Sequence, residues 1–338
     1  MTRDKYDYQD MTKERLLFID WLRVVAALFV VMIHTSGMLY LDSPKGMIEY
    51  YLGFWNMEIV RTAVPLFFMI SGALLLRQGY DATPRKMVKK ALKVLALMLI
   101  WSFIYALVYV HPLTIKALVF KTIKGPFHFW FLEYLIGLYL LTPIFNVIAN
   151  YQNGILERYY LWLFFVFGIC IESFQAIPFC HKWIMDVTTK VSVPWLGFAG
   201  FFFLGHYLTT RQFNVSPWLL LLLFFGAVLL QGWFTAHVPL LHSSDKFWWL
   251  TIIEATTLFV LFVNARWIRN EQYGWIKALS SLMLGVYILH PLISENIPEK
   301  FWTASLYGIN VIVVFGGSLL ASFFLMKIPV IGKWLLSI

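Results

Sequence analysis

The sequence predicts an all-α polytopic membrane protein with about ten transmembrane helices and both termini in the cytoplasm. Its 338 residues are 60% hydrophobic and only 13% charged, whereas a soluble domain carries about 25% charged residues. The apolar residues run along the whole chain, so no single soluble core could bury them. Backbone polar groups in lipid must be bonded internally, and the long apolar runs do not alternate as barrel strands would. The spans are therefore predicted to be helices.

Ten stretches approach the length of about 20 residues that crosses a bilayer. In chain order the predicted spans are 16–40, 57–76, 88–110, 128–149, 158–176, 194–210, 217–236, 247–267, 276–295 and 303–326. The sixth is the short, glycine-rich stretch PWLGFAGFFFLGHYL, so its bounds are the least defined. Residues 1–15 are polar, and the chain 1–338 is predicted to form one integral membrane domain.

The orientation follows from lysine and arginine, which favour cytoplasmic loops. Placing both termini in the cytoplasm puts about twice as many of these residues inside as outside. The densest inner run is RQGYDATPRKMVKKALK, whereas Lys116, Lys121 and Lys124 fall outside, against the trend. The net charge of +9 then reflects loops near anionic lipid, and no nucleic-acid partner is needed to explain it.

The sequence shows no motif typical of a secreted, metal-binding or nucleotide-binding protein. The first 15 residues mix acids and bases and no small-residue cleavage site follows the first apolar run, so we expect no cleavable signal peptide. Cys170 and Cys180 belong to no metal-type cluster, so neither a metal nor a disulfide is expected. No internal repeat and no GxxxxGK[ST] phosphate loop is visible, so no appended soluble enzyme is expected.

The first predicted helix carries three polar side chains in an otherwise apolar run: Asp20, Arg23 and His34. Eleven residues at 100° per residue fall about 20° from whole turns, so Arg23 and His34 share one helix face, about 16 Å apart along the axis. Asp20 lies one turn before Arg23 and could pair with it. Charged groups at membrane depth usually face a protein interior or a water-filled cavity. A neutralised pair at the interface with a packing histidine is the structural alternative.

Polar and aromatic residues fall at similar depth on three further predicted spans. They are Glu58 and Arg61 on the second span, His128, Trp130 and Glu133 on the fourth, and Tyr287 and His290 on the ninth. Chance would scatter such residues along the chain. The pattern therefore predicts a shared cavity in the outer half of the membrane.

Four motifs occur in a fixed order along the chain. They are Arg-x10-His on the first helix, RTAVPLFFMISG on the second, HFWF at the start of the fourth and LGVYILHP on the ninth. Together they resemble the acyltransferase-3 family of bacterial membrane acyltransferases over essentially the whole chain. They look closest to the enterobacterial common antigen O-acetyltransferases and to the membrane domains of vancomycin-resistance serine racemases. The resemblance implies a ten-helix fold in the bacterial cytoplasmic membrane that moves acyl groups, usually acetyl from coenzyme A, onto hydroxyls of cell-envelope glycans.

The resemblance also implies roles for individual residues. His34 and Arg23 correspond to the essential first-helix pair, and Arg61 with residues 65–72 matches the second-helix signature. The other positions implied to line the central cavity are His128 with Trp130, and Tyr287 with His290. Glu133 falls at the same depth and is predicted to bind substrate with them. Two departures from the family pattern are Met283, where a small polar residue is frequent, and the inner loop, which offers Arg85-Lys86 and Lys89-Lys90 in place of an arginine-rich pair.

Acyl transfer from a thioester needs a base, a group that stabilises the oxyanion, and exclusion of water. His34 suits the base, because an imidazole has an unperturbed pKa near 6.5. Arg23 cannot be a base and is expected to contact a phosphate or the oxyanion. The polar face resembles an extended pantetheine arm in length, so acyl-CoA is the predicted donor, bound from the cytoplasm. Its phosphates would then lie near four residues of the inner loop: Arg85, Lys86, Lys89 and Lys90.

Several alternatives stay open at this level. The basic run could be a topology signal alone, and Ser71-Gly72 is interpreted as a close-packing pair rather than a catalytic serine. Glu254 and His206 are interpreted as structural. A secondary transporter or exporter of an envelope glycan precursor or amino acid is the competing function, because broken helices and intramembrane charges also suit transport. The acceptor, the acyl group and the oligomeric state, including a homo-oligomer, are not specified by the sequence.

The first prediction concerns topology. Because the inner loops hold about twice the Lys and Arg of the outer ones, a carboxy-terminal alkaline phosphatase fusion should be inactive. An active fusion would reverse the assigned sidedness of the cavity.

Overall fold

The structure is a computed structural model that describes residues 17–328 and residue 332, apart from residues 42, 113, 171–172, 174–193, 238–248, 266–267 and 269–272. It is helical, and none of the described residues belongs to a strand. The helices are α1 (Leu17–Tyr40), α2 (Ile48–Val60), α3 (Ala63–Leu75), α4 (Pro84–Tyr109), α5 (Ile115–Lys124), α6 (Trp130–Asn150), α7 (Ile155–Leu163), α8 (Pro194–Thr210), α9 (Pro217–His237), α10 (Trp249–Val263), α11 (Tyr273–Ser281), α12 (Met283–Ser294) and α13 (Tyr307–Lys327). Short 3₁₀ segments lie at Phe127–Phe129, Tyr151–Gly154 and Glu299–Phe301, and a π-helical segment at Phe164–Cys170 follows α7.

The polytopic membrane class is confirmed, because six helical segments are long and apolar enough to cross a membrane, or seven if the bent pair α11–α12 counts as one span. The count of ten stays a prediction. One segment, Ile115–Cys170, contains the fourth predicted span and residues 158–170 of the fifth, while α8 and α10 have only 17 and 15 residues. The fifth and eighth predicted spans extend into residues 171–172, 174–176, 247–248 and 266–267, which lie outside the described residues.

The second span and the segment that follows α4 differ from the sequence-based prediction. The second span begins at Ile48 rather than at residue 57, because α2 and α3 together form one apolar segment of 28 residues. Helix α5 was not predicted at all. Its ten residues would extend only about 15 Å, too little to cross a bilayer. It exposes Ile115, Phe120 and Ile123 and carries lysines in its last turn, a pattern typical of a helix lying in the membrane interface.

Helix α1 lies in the middle of the helix bundle. It packs against α2, α3, α10, α11, α12 and α13. Its side chains Leu22, Ala26 and Val31 are fully buried among these neighbours. The polar side chains of α1 therefore face other helices rather than lipid.

Helices α3 and α8 touch through their backbones. A methyl group on Gly72 of α3 would overlap the carbonyl oxygen of Phe202, and one on Gly205 of α8 would overlap that of Met69. The Ser71 hydroxyl donates to the Phe67 carbonyl of its own helix at 2.8 Å. These contacts confirm that Ser71-Gly72 allows close helix packing, as small residues do in membranes.

The glycine contact gives a stability prediction. Gly72→Ala should lower the free energy of unfolding by about 1–3 kcal/mol or more, because the new methyl group meets backbone that cannot move aside. Thermal unfolding of the purified protein in detergent would measure this.

Gly137→Ala is the matched control, because no other atom lies within 4 Å of a methyl group added there. Alanine favours helix by about 1 kcal/mol over glycine, so this variant should be at least as stable as the parent protein. Equal melting temperatures for the two variants would contradict the backbone contact.

Candidate active site

The bent pair α11–α12 meets both polar positions of α1. The two helices join at Leu282 with an angle of 47° between them. The Leu282 carbonyl accepts hydrogen bonds from the Val286 N–H of α12 at 3.0 Å and from Ser322 of α13 at 3.1 Å, so the junction of the two helices is tied to α13. Helix α11 lies beside the end of α1 that carries Arg23, and α12 lies beside the end that carries His34.

At the Arg23 end, three side chains form a buried polar group. Arg23 lies 3.3 Å from the Asp20 carboxylate, which confirms the pair expected one turn apart. Ser280 of α11 donates to the same carboxylate at 2.7 Å, and Arg23 donates to the Ser280 hydroxyl at 3.4 Å. Asp20 is 1% exposed, whereas the Arg23 side chain keeps 30% of its surface exposed. Carboxylate and hydroxyl together hold the guanidinium beside α11.

At the His34 end, histidines from three separate elements come together. The ring centroids of His34 and His290 are 4.9 Å apart, and those of His128 and His290 are 5.4 Å apart. His128 and His290 are buried, and His34 is partly exposed. Phe127, which is 61% exposed, covers this group with its ring centroid 5.2 Å from that of His34. The structure therefore joins α1, the segment before α6, and α12 at one point.

Hydrogen bonds hold the His290 imidazole and the backbone beside His128 and His290. Nδ1 of His290 lies 2.8 Å from the Tyr287 carbonyl oxygen, so Nδ1 carries the proton and donates it there, leaving the Nε2 lone pair as an acceptor. That Nε2 is buried and has no hydrogen-bond partner among the described residues, and the same holds for both ring nitrogens of His128. The Tyr287 hydroxyl donates to the His128 carbonyl, and the Tyr105 hydroxyl donates to the Ile288 carbonyl at 2.7 Å. These tyrosines lock the backbones that present the histidines.

Two other predicted residues lie at the edge of this group. Trp130 packs its ring against Phe198 of α8, with the centroids 5.6 Å apart. Glu133 is exposed. Both residues lie in the first turn of α6, which follows the 3₁₀ segment that carries His128, and their side chains face other neighbours.

Arg61 belongs to a separate acidic group. It forms an ion pair with Glu58, which lies one turn earlier on α2 and is buried. Glu254 of α10 is fully buried and interacts electrostatically with both. Its two carboxyl oxygens accept no hydrogen bond from the described residues. Glu254, interpreted from sequence as structural, thus lies beside a residue of the second-helix motif.

The basic run before and in α4 divides into two faces. Lys86 and Lys90 are half-buried and point to the ring of Tyr80, at 4.9 and 5.7 Å from its centroid. Arg85 and Lys89 are exposed on another face of the same helix. The sequence grouped all four residues together, although their i, i+4 spacing already separates the two pairs.

His206 forms a buried pair with Glu157 that ties α8 to α7. Its Nδ1 lies 2.5 Å from the Glu157 carboxylate, and both side chains are almost fully buried. The contact fits the structural interpretation of His206. Among the described residues, no group of three or more His, Cys, Asp or Glu side chains is arranged to hold a metal ion.

Comparison with known protein families gives one match. A family model described as an acyltransferase domain matches residues 16–327, which is most of the chain. No curated protein and no solved structure shows a significant match. The likeness to antigen O-acetyltransferases and to racemase-linked domains therefore stays a prediction.

The contact between α1 and α11 gives a second stability prediction. Ser280→Ala should lower the free energy of unfolding by about 1–2 kcal/mol, because the buried Asp20 carboxylate loses a hydrogen bond. Ser281→Ala is the control, since the Ser281 hydroxyl is exposed and donates within its own helix to the Ala278 carbonyl. That variant should stay within about 0.5 kcal/mol of the parent in the same unfolding assay. Equal stabilities of the two variants would contradict the inferred importance of the contact.

Proposed function

The chain belongs to the acyltransferase-3 family, and we propose that this membrane acyltransferase moves an acyl group, acetyl in the simplest case, from acyl-CoA to a hydroxyl of a cell-envelope glycan or a lipid-linked precursor. The donor would approach from the cytoplasm and the acceptor from the opposite side of the bacterial cytoplasmic membrane. The observation that carries the proposal is the meeting of His34, His128 and His290 at one end of α1, with Arg23 at the other end.

The histidine group suits a base inside an apolar bundle. In the proposed reaction an imidazole nitrogen of His34 accepts the proton of the acceptor hydroxyl, and the oxygen attacks the thioester carbonyl carbon. As the carbon–oxygen bond forms, the carbon–sulfur bond breaks, and the imidazolium returns its proton to the leaving sulfur of coenzyme A. Phe127 would limit the access of water to the reacting atoms. His290 and His128 are the rival bases, because their unpartnered nitrogens lie beside His34.

Arg23 would act on the donor rather than on the oxyanion. About 16 Å along α1 separates it from His34, so the two residues cannot both contact one carbonyl group. A planar guanidinium binds phosphate oxygens in pairs, and its contacts with Asp20 and Ser280 hold it in position. An extended pantetheine arm between the two ends of α1 would place the thioester near His34 while the nucleotide stays near Arg23.

The site makes a catalytic prediction. His34→Ala should insert and fold normally, because the side chain is only partly buried, yet lose acetyl transfer by about 100-fold or more. Arg23→Lys should also lose activity, because an ammonium does not reproduce the guanidinium fork. Transfer from labelled acetyl-CoA would be compared at matched membrane levels.

His237→Ala serves as the control, since this exposed histidine at the end of α9 hydrogen-bonds to the Trp233 carbonyl of its own helix and lies on a different helix from the histidine group. Its activity should equal that of the parent protein. Near-normal turnover of His34→Ala, with loss in His290→Ala or His128→Ala, would assign the base to another histidine. Flux of a substrate without release of coenzyme A would favour the transporter instead.

A further inference from the structure

Tyr80 lies in the connection between α3 and α4, where three cationic side chains converge on its ring. Lys86 and Lys90 approach from the first turns of α4, and the guanidinium carbon of Arg77 lies 5.9 Å from the ring centroid. Cations within about 6 Å of an aromatic ring are attracted by its negative face. The ring therefore holds together charges that would otherwise repel one another.

Negative charge at this point is scarce. Among the described residues, the one ion pair with this group joins Lys86 to Asp81 at 3.5 Å. Hydrogen bonds from Thr83, and then the charge of Lys86, hold the pKa of the exposed Asp81 carboxyl below its usual range, so the carboxylate stays ionised at neutral pH. One carboxylate against three cations leaves a positive site beside the positive end of the α4 dipole. Such a site fits a ligand with more than one negative charge.

The group also continues towards Arg23. Lys90 lies 5.7 Å from the ring centroid of Tyr139 on α6, a residue that is 7% exposed. Lys90 thus lies between the rings of Tyr80 and Tyr139, and Tyr139 lies within range of the Arg23 charge. The Tyr80 hydroxyl is itself buried and has no hydrogen-bond partner among the described residues. A chain of phenols thus links the surface cations to the polar group at the start of α1.

We propose that Tyr80, Arg77, Lys86 and Lys90 bind the phosphate groups of the acyl-CoA donor, and that Arg85 and Lys89 take no part. This rests on the acyltransferase function proposed above. The phosphates neutralise the three cations at the cytoplasmic surface, and the pantetheine arm begins beside Arg23 and extends along α1 towards His34. Tyr80 acts as a positioning residue that gathers the cations before the donor binds.

Two variants with the same change of charge test the division of the basic run. Lys86→Gln with Lys90→Gln should raise KM for acetyl-CoA about tenfold or more, because two charge-assisted contacts are lost. Arg85→Gln with Lys89→Gln should change it less than about twofold. Because both variants remove two positive charges from the first turns of α4, they should perturb membrane orientation equally. With S-acetylpantetheine, which has no phosphate, neither variant should change KM, and kcat should stay constant throughout.

The aromatic ring has its own test. Tyr80→Leu should raise KM for acetyl-CoA about threefold to tenfold, since the cations lose their common partner. Tyr80→Phe keeps the ring, so its KM for acetyl-CoA should stay much closer to that of the parent protein. A purely structural role for Tyr80 would instead lower kcat or change KM equally for both donors.

Direct binding separates this inference from the proposed function. Binding of radiolabelled coenzyme A would be measured in detergent, and in vesicles of phosphatidylcholine with and without phosphatidylglycerol. If the unmodified protein binds no coenzyme A, both the donor assignment and this inference fail. If the variant with Lys86→Gln and Lys90→Gln binds coenzyme A as well as the variant with Arg85→Gln and Lys89→Gln, only the present inference fails. If the Lys86 and Lys90 changes weaken retention of phosphatidylglycerol but not of coenzyme A, the site binds a lipid headgroup and the inference is wrong.

Discussion

An arginine can remain inside a bundle of apolar helices only if other groups neutralise it, and the arrangement of α1 follows from this requirement. Asp20 supplies the charge from the same helix, and Ser280 supplies a hydrogen bond from α11. The bond to Ser280 fixes which face of α1 meets the α11–α12 pair. Since His34 shares that face, it is turned towards His290. One buried polar contact thus orients the residues at both ends of the helix.

The sequence predicted this part of the molecule well, because the positions and faces of helices follow from the periodic spacing of apolar and polar residues. Hydropathy marked helix at every predicted span within the described residues, and the spacing of Arg23 and His34 specified a common face. Similar depth on different helices indicated that His34, His128 and His290 would meet. Burial then keeps polar side chains together, because each one in an apolar medium needs a partner.

The sequence was less informative where the contacts of a residue depend on packing between helices that are far apart in the chain. Glu254 reaches Arg61 only because α10 packs beside α3, and no local pattern reveals that. Glu133 has the right depth, yet its direction on α6 leaves it exposed. Helix α5 was missed because its ten residues fall below the length of a span. No local pattern around Tyr80 indicated that three cationic side chains would converge on its ring.

The bend at Leu282 couples the positions of two contacts made by α1, the one between Arg23 and Ser280 and the one between His34 and His290. Ser280 and His290 lie on opposite sides of the bend, and Ser322 of α13 hydrogen-bonds to the Leu282 carbonyl at the bend itself. A ligand that moved Arg23 away from Ser280 would change the angle between α11 and α12, and His290 would then shift relative to His34. Occupancy at one membrane surface would thereby set the alignment of the imidazoles near the other, without any signal passing through solvent.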